Sequence, residues 1–219
     1  MRKRAAITAA VAAALAVTAT PATSAAAGPR LVHGPGGVTI EIATLTGPGC
    51  RSGTVGIALV PRRDDFTVTY ADYLAQAGGS SAPTDARKYC HIALKVHVPQ
   101  GFTYAISSTT YRGYASLQTG ATATQSADYY FQGQPLARQY SQSLNGPHRN
   151  SWASTDEVDE SQLVYSPCGE ARNLNIRTEL RVHQGTSDPS KVSFIAMDST
   201  DGTIKTTYHF AWKTCPQPA

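Results

Sequence analysis

The segment spanning residues 90–98 constrains the fold more than any other stretch of the sequence. It reads Cys-His-Ile-Ala-Leu-Lys-Val-His-Val, and its apolar residues occupy every second position. Because successive side chains of a β-strand point to opposite faces of a sheet, this pattern predicts a strand with one buried and one solvated face. Pro99 ends the strand. Cys90 takes the first inward position, which predicts that a disulfide anchors this strand.

The same two-residue alternation recurs along most of the chain, whereas helical periodicity is almost absent. We predict further strands over residues 38–42, 55–59, 66–70, 102–106, 111–117, 174–183, 191–197 and 203–214. Gly- and Pro-containing turns separate them, including one at residues 198–202. Many short alternating strands of this kind predict an all-β fold, namely a two-sheet antiparallel β-sandwich with Greek-key or jelly-roll-like connections.

Three segments depart from this pattern. Residues 71–77 are predicted to form one helical turn. Residues 121–131 have a β composition but a weak apolar side, which predicts an edge or weakly covered strand. Residues 132–166 show no clear period, and a long irregular segment in a compact domain is often a functional loop. This segment is therefore the first place in the sequence to look for a site.

The N-terminus has the features of a secretory signal peptide. Arg2, Lys3 and Arg4 precede a short Ala/Val/Leu run, and small residues follow it. We expect residues 1–27 to be removed, with cleavage after Ser24 as an alternative, which leaves one domain over residues 28–219. When these three basic residues are removed with the signal peptide, the remaining chain has 16 Lys and Arg and 15 Asp and Glu. This near-neutral chain does not predict nucleic-acid binding, and no later apolar run is long enough to enter a membrane.

The four cysteines predict two disulfides, because their number is even and the expected compartment is oxidising. Sequence alone permits three pairings. We favour Cys50 with Cys90 and Cys168 with Cys215, since each pair then links the ends of one local group of strands. In the chain-entropy model, loops of this size stabilise the fold by about 4 kcal/mol each.

Several short motifs resemble the secreted family called domain of unknown function 4360. They are Gly49-Cys50 after the first strand, the strand at residues 90–94, Tyr111-Arg112-Gly113-Tyr114-Ala115, Ser166-Pro167-Cys168-Gly169 and Met197-Asp198-Ser199. The chain departs from the family pattern at Arg51, where the family has proline, and at Ala196, where it has serine. The resemblance implies secretion and the fold described above. It implies no reaction and no catalytic residue, because the family has no assigned activity.

The sequence contains no motif that predicts catalysis, a cofactor or a metal. No Gly-x-Ser-x-Gly motif is present, and the cysteines are better used as disulfides. His91 and His97 share one face of a strand but lie roughly 20 Å apart, too far to bind one ion. His97, His183 and His209 could approach one another across neighbouring strands, although solvated surface histidines are the simpler interpretation. The acids at residues 156–160 and 198–201 match no calcium-loop spacing.

Aromatic side chains favour a binding function, since flat rings on a rigid sandwich can hold sugars or a partner protein. The candidates are Tyr89 and Tyr130 on strands and Tyr140 and Trp152 on the irregular segment. We therefore predict an extracellular binding or structural protein whose partner is a polysaccharide or an extracellular protein. The alternative is a small secreted hydrolase, or a hydrolase inhibitor, with its site on residues 132–166.

Overall fold

The computed structural model of the protein describes residues 30–31, 33–197 and 204–216. The predicted signal peptide and the predicted turn at residues 198–202 lie outside the described residues. The strands are β1 (Arg30–Leu31), β2 (Thr39–Thr46), β3 (Val55–Leu59), β4 (Asp65–Tyr70), β5 (Leu74–Ala77), β6 (Arg87–His97), β7 (Phe102–Leu117), β8 (Thr122–Phe131), β9 (Arg138–Asn145), β10 (His148–Glu157), β11 (Leu174–His183), β12 (Ser193–Ala196) and β13 (Thr206–Thr214). Two short 3₁₀ helices cover Pro83–Ala86 and Glu160–Gln162.

One antiparallel sheet contains five strands in the order β2-β6-β11-β8-β9. The predicted strand around Cys90 is β6, and it pairs with β11 so that Ile92 lies opposite Ile176. Along β6, β8 and β11, side chains alternate between buried and more exposed positions, as the two-residue period predicts. This sheet therefore has one face in the core and one face toward solvent.

The other antiparallel sheet is organised around β7, which spans 16 residues. Along one edge β7 pairs with β10 over residues 108–117. Along its other edge it pairs with β13 over residues 102–110 and with β12 over residues 114–116. β4 and β1 pair with β13, while β3 lies beyond β4 and β5 beyond β12. The predicted two-sheet antiparallel β-sandwich is confirmed.

Aromatic and branched side chains fill the space between the two sheets. Phe66 stacks on Tyr208 with ring centroids 4.7 Å apart, and Tyr104 makes an edge contact with Phe131 of the facing sheet. Full burial of one such apolar side chain stabilises a fold by about 1.5–3 kcal/mol. The packing of inward side chains is thus the main source of stability.

Both predicted disulfides are confirmed, and they occupy different environments. Cys50 and Cys90 are 1% and 0% exposed, so this disulfide ties the turn after β2 to β6 inside the core. Cys168 is exposed and Cys215 is half-buried. The second disulfide therefore joins the segment before β11 to the end of β13 at the surface.

The helical turn predicted over residues 71–77 is wrong. Residues 74–77 form β5, which pairs with β12 so that Ala75 lies opposite Ile195. Tyr73 is fully buried just before this strand, and its hydroxyl lies 3.0 Å from the hydroxyl of Thr178 on the facing sheet. Tertiary pairing overrides the weak helical preference of this Ala-containing segment.

The strand predicted over residues 121–131 is present as β8, but its predicted position at an edge or under weak cover is wrong. β8 lies between β11 and β9, and every second side chain along it is buried. Two of the buried positions are Ala123 and Ala127, and Ala121 is buried just before the strand. Alanine side chains are small, so the apolar pattern is weak even though these positions belong to the core.

The irregular loop predicted over residues 132–166 is wrong for most of its length. β9 and β10 occupy this segment, joined by a turn with a cis peptide bond before Pro147. β9 belongs to the five-stranded sheet and β10 to the eight-stranded one, so the chain crosses between sheets along one side of the sandwich. Their side chains are mostly polar, and for that reason the sequence showed no period.

The ring of Trp152 on β10 packs against its registered partner on β7, Gly113. A Cβ atom at Gly113 would overlap both this ring and the carbonyl oxygen of Ala196. Only glycine therefore allows the indole to enter the core at this place, where Trp152 is 6% exposed.

We predict that Gly113→Ala destabilises the fold by about 1–3 kcal/mol, because the added methyl group forces the tryptophan or the backbone to move. Urea unfolding followed by tryptophan fluorescence would measure this loss. Gly36→Ala is the control, since a Cβ atom there meets nothing within 4 Å. Equal unfolding midpoints for the two variants would contradict the prediction.

We also predict that a low concentration of dithiothreitol reduces Cys168–Cys215 before Cys50–Cys90 while the protein stays folded. Thiol–disulfide exchange requires access of the attacking thiolate, and only the surface disulfide offers it. Alkylation followed by peptide mass mapping would show the order. First labelling of Cys50 or Cys90 would refute the assigned difference in access.

Candidate functional site

The solvent-facing side of the five-stranded sheet carries a band of charged and aromatic residues, which we call the polar face. Its members are Arg87, Tyr89, His91, Ser126, Asp128, Tyr130, Gln139, Arg177, Glu179 and Arg181. Strand register places them in rows, and one row runs through His91, Arg177, Asp128 and Gln139 on four neighbouring strands. Directly opposed side chains of antiparallel strands lie about 4.5–5.5 Å apart at Cβ. A ligand lying across the strands would touch several members at once.

Ion pairs fix the orientation of these side chains. Arg87 Nε donates a hydrogen bond to Glu179 at 2.7 Å, and Arg181 Nη2 donates to the other carboxylate oxygen of Glu179 at 2.9 Å. Arg177 Nε donates to Asp128 at 2.6 Å. Among the described residues, the side chain of Arg177 makes no other hydrogen bond, so both of its terminal NH₂ groups are available to a ligand. Exposed ion pairs add little stability, and here they position donors and acceptors.

A depression of about 320 Å³ lies in the polar face and is bordered by Tyr89, His91, Asp128, Gln139 and Arg177, with further polar side chains around them. The Tyr89 and His91 ring centroids are 5.1 Å apart. The guanidinium carbon of Arg177 lies 5.4 Å from the centroid of the Tyr130 ring, and Arg87 lies at the same distance over Tyr89. Flat rings and planar guanidinium groups therefore line one shallow surface.

The electrostatics of the polar face favour a neutral histidine beside charged partners. Burial of part of the ring, followed by the nearby positive charge of Arg177, lowers the pKa of His91 from its ordinary value of 6.5. For Glu179, partial burial opposes ionisation, but the hydrogen bonds from Arg87 and Arg181 outweigh it and lower the pKa of the carboxyl group. At neutral pH the face thus presents ionised Glu179, cationic arginines and an uncharged imidazole.

The structure brings only two of the four predicted aromatic residues to this surface. Tyr89 and Tyr130 lie on the polar face. Tyr140 and Trp152, which were predicted on a loop, lie on strands and point inward: Tyr140 stacks on Tyr111 with centroids 5.5 Å apart, and Trp152 is buried against Gly113. Their placement follows from the inward register of β9 and β10: Trp152 is buried and Tyr140 is half-buried, so neither lies on the polar face.

The charged residues of the polar face were not among the site residues predicted from the sequence. The outward position of Arg177 and Glu179 follows from alternation on β11, but alternation cannot show which strand lies beside β11. Asp128 and Gln139 become neighbours of Arg177 only through the pairing of β8 with β11 and β9. In the sequence, the only indication of these residues was that charged side chains take outward positions on the predicted strands.

The suggested approach of three histidines does not occur. His97 and His183 lie at opposite ends of the antiparallel strands β6 and β11, and His209 belongs to the other sheet. Within residues 30–31, 33–197 and 204–216, no group of three or more His, Cys, Asp or Glu side chains is arranged to hold a metal ion.

An acid, a histidine and a hydroxyl do share one row on the eight-stranded sheet, the arrangement that the hydrolase alternative would require. Asp65 accepts a hydrogen bond of 2.5 Å from Nδ1 of His209, and Ser108 lies opposite His209 on β7. Within the described part of the chain, however, no hydrogen bond joins the side chains of Ser108 and His209. The proton relay from a serine nucleophile to the imidazole is thus incomplete.

Comparison with known proteins places the chain in a family. Residues 36–215 match the family model described as "Domain of unknown function (DUF4360)", and the chain belongs to this family. A protein of Arthroderma benhamiae described as "Uncharacterized secreted protein" is 33% identical over 181 residues, which cover 83% of this chain and 73% of that protein.

Among solved structures, the enzymatically active domain of bacteriophage CBA120 tailspike protein 4 matches 82% of this chain at 12% identity. The match covers 20% of that structure, and its TM-score is 0.25, so we draw nothing from it. Within the described residues, no helix is long and apolar enough to cross a membrane. The secreted relative fits an extracellular location.

We predict that His91 titrates below pH 6.5 and that Arg177→Gln raises its pKa, because the substitution removes the neighbouring positive charge. Since the folded state binds a proton at His91 less readily than the unfolded state, this residue contributes stability above pH 6.5 that is lost on acidification. Two-dimensional NMR of the imidazole resonances across pH 4–8 would test the pKa. Titration of His91 at or above 6.5, or no upward shift in the variant, would contradict it.

Proposed function

We propose that the protein is a secreted polysaccharide-binding protein and that the polar face is its binding surface. The observation that carries this proposal is the depression in which Tyr89 and His91 border Arg177, Asp128 and Gln139. The predicted signal peptide and the secreted relative support the extracellular setting.

The shape of the surface suits an extended chain of sugars. From the strand spacings, the Cα atoms of Tyr89 and Tyr130 lie about 17 Å apart across the sheet. That distance exceeds the size of one sugar ring, so an oligosaccharide could contact both tyrosines. The apolar face of a sugar ring can rest on aromatic rings and guanidinium planes, and the ion pairs orient the guanidinium groups here before a ligand binds.

The chemistry of the surface favours a polysaccharide that carries carboxylate groups. Three arginines (Arg87, Arg177 and Arg181) face two carboxylates (Asp128 and Glu179), which leaves one excess positive charge. The free NH₂ groups of Arg177 can bind a carboxylate through two hydrogen bonds, the arrangement for which a guanidinium is best suited. Neutral sugar hydroxyls could use the same donors, but without this charge contribution.

The hydrolase alternative has less support. Residues 132–166 form strands rather than an open loop, and the acid–histidine pair with a neighbouring serine lies on the opposite sheet without a completed relay. A binding surface is therefore the better interpretation of the polar face.

We predict that the protein is retarded in affinity electrophoresis through gels that contain polygalacturonate and less retarded through gels that contain hydroxyethylcellulose. Arg177→Gln is expected to weaken the binding of polygalacturonate by roughly tenfold or more, because a charge-assisted hydrogen bond is lost. Tyr89→Ala is expected to weaken both interactions.

Tyr114→Ala is the matched control, since Tyr114 is a half-buried tyrosine on β7 of the opposite sheet. It should migrate like the unmodified protein in both gels, and circular dichroism would verify that all variants are folded. Absence of retardation in every polysaccharide gel, or retardation that survives both Arg177→Gln and Tyr89→Ala, would overturn the proposal.

A further inference from the structure

A second depression, of about 350 Å³, adjoins the depression in the polar face, and we call it the side depression. Its lining residues are Leu136, Ala137, Arg138, Gln139, Val158 and Gln162. Gln139 also borders the depression in the polar face, so one side chain lies between the two. This glutamine ends the row of outward residues that crosses the sheet from β6 to β9. A ligand chain that follows this row past β9 therefore enters the side depression.

Backbone hydrogen bonds and one ion pair hold the walls of the side depression in place. In one wall, the amide of Ala137 donates to a carbonyl oxygen of β8 at 3.0 Å, and in the other, the amide of Val158 donates to a carbonyl oxygen of β7 at 2.9 Å. Arg138 ties the first wall to β10, which leads into the second, because its Nε donates to both carboxylate oxygens of the buried Asp156 at 2.9 and 3.0 Å. The side depression thus exists before a ligand binds, which reduces the entropy that binding costs.

The lining of the side depression offers no unpaired positive charge to a carboxylate. Arg138 is the one cationic residue in this lining, all of which belongs to the described part of the chain, and the carboxylate of Asp156 balances its charge. Asp159 and Glu160 lie on the segment that forms the second wall, and Asp159 is exposed. The polar face, by contrast, has one excess positive charge. A carboxylate is therefore attracted to the polar face and disfavoured in the side depression.

Apolar and amide side chains suit the side depression to an uncharged unit. Leu136 is 46% exposed, and only Val192, on the loop before β12, is a comparably exposed large apolar residue within the described part of the chain. Leu136 and Val158 border the same depression, so a ligand methyl group placed there would cover apolar surface that water now contacts. The amide groups of Gln139 and Gln162 add hydrogen-bond donors and acceptors for the oxygens of an uncharged sugar.

We propose that the two depressions together bind an acidic polysaccharide in which part of the carboxylate groups are methyl-esterified. An ionised unit pairs with Arg177 on the polar face, and an esterified unit lies past Gln139 with its methyl group on Leu136. This inference rests on the proposed function of the polar face and adds the pattern of charged and uncharged units that the surface selects. A fully esterified chain lacks the charge-assisted contact with Arg177.

Affinity electrophoresis through gels that contain polygalacturonates of one chain length and three degrees of methyl esterification tests this selection. The degrees are none, half and nearly all, and retardation is measured against a polymer-free gel. We expect the half-esterified polymer to be bound roughly threefold or more tightly than the unesterified one, because part of a leucine side chain is covered. The nearly fully esterified polymer should be bound less tightly than the half-esterified one, since Arg177 then has no carboxylate partner.

Leu136→Ser removes apolar surface without adding charge and should abolish the preference for the half-esterified polymer. Val192→Ser is the matched control and should keep the full preference, because Val192 lines neither depression. Asp159→Asn should strengthen the binding of the unesterified polymer, since it removes a repelling charge. The side chain of Asp159 makes no capping hydrogen bond that this substitution would break. Circular dichroism would verify that the variants are folded.

The proposal fails if the unmodified protein binds the unesterified polymer as tightly as the half-esterified one, or if the preference persists in Leu136→Ser. Either result, together with a loss of binding in Arg177→Gln, would leave the polar face as a binding surface and overturn only the pattern inferred here. Absence of retardation with all three polymers would instead overturn the proposed function and this inference with it.

Discussion

The structure depends above all on the pairing of β7, because this strand supports neighbours along both edges. Its backbone pairs with β10 on one side and with β13 and β12 on the other. Side chains of the same strand, among them Tyr104, Ile106, Tyr111 and Leu117, enter the core, and their alternation changes phase at the irregularity opposite His209 and Phe210. A shift of β7 by one residue would turn these side chains out to solvent and displace three other strands. The register of this one strand therefore determines the packing of the whole eight-stranded sheet.

Directional polar contacts then set how the two sheets lie against each other. Arg138 of β9 donates hydrogen bonds of 2.9 and 3.0 Å from Nε to both carboxylate oxygens of Asp156 on β10, and Asp156 is 2% exposed. The Tyr129 hydroxyl donates to the carbonyl oxygen of Ile106 at 3.2 Å. Hydrophobic packing is non-directional. These few polar contacts, all of them made between the sheets, select one alignment among many that would bury a similar area.

The sequence sufficed for the fold class and the disulfides but not for every strand. Alternation of large apolar residues identified β6 and β11, whereas β8, with alanines at its inward positions, was judged to be a poorly covered edge. β9 and β10 were missed for a different reason: their stabilising inward groups include Arg138 and Asp156. An inward ion pair is indistinguishable from surface charge when the two strands are considered separately.

The location of the polar face could not be predicted from the sequence either. Outward alternation placed Tyr89, His91 and Arg177 on solvent-facing positions, yet 76 residues of sequence separate the end of β6 from the start of β11. Only their pairing, with His91 directly opposite Arg177, makes one site of them. Long-range strand pairing depends on the whole set of inward side chains. The packing of the core therefore determines where the site lies.

This dependence has a consequence for how the binding surface works. Loops that carry binding residues lose conformational entropy when a ligand orders them. The polar face avoids that loss, because all of its side chains except Gln139 project from the central strands of a sheet whose opposite face packs on the core. The turn after the edge strand β2 is tied to β6 through Cys50–Cys90. The disulfide in the core and the ion pairs on the surface thus act together: one holds the backbone, and the others hold the side chains that would meet the ligand.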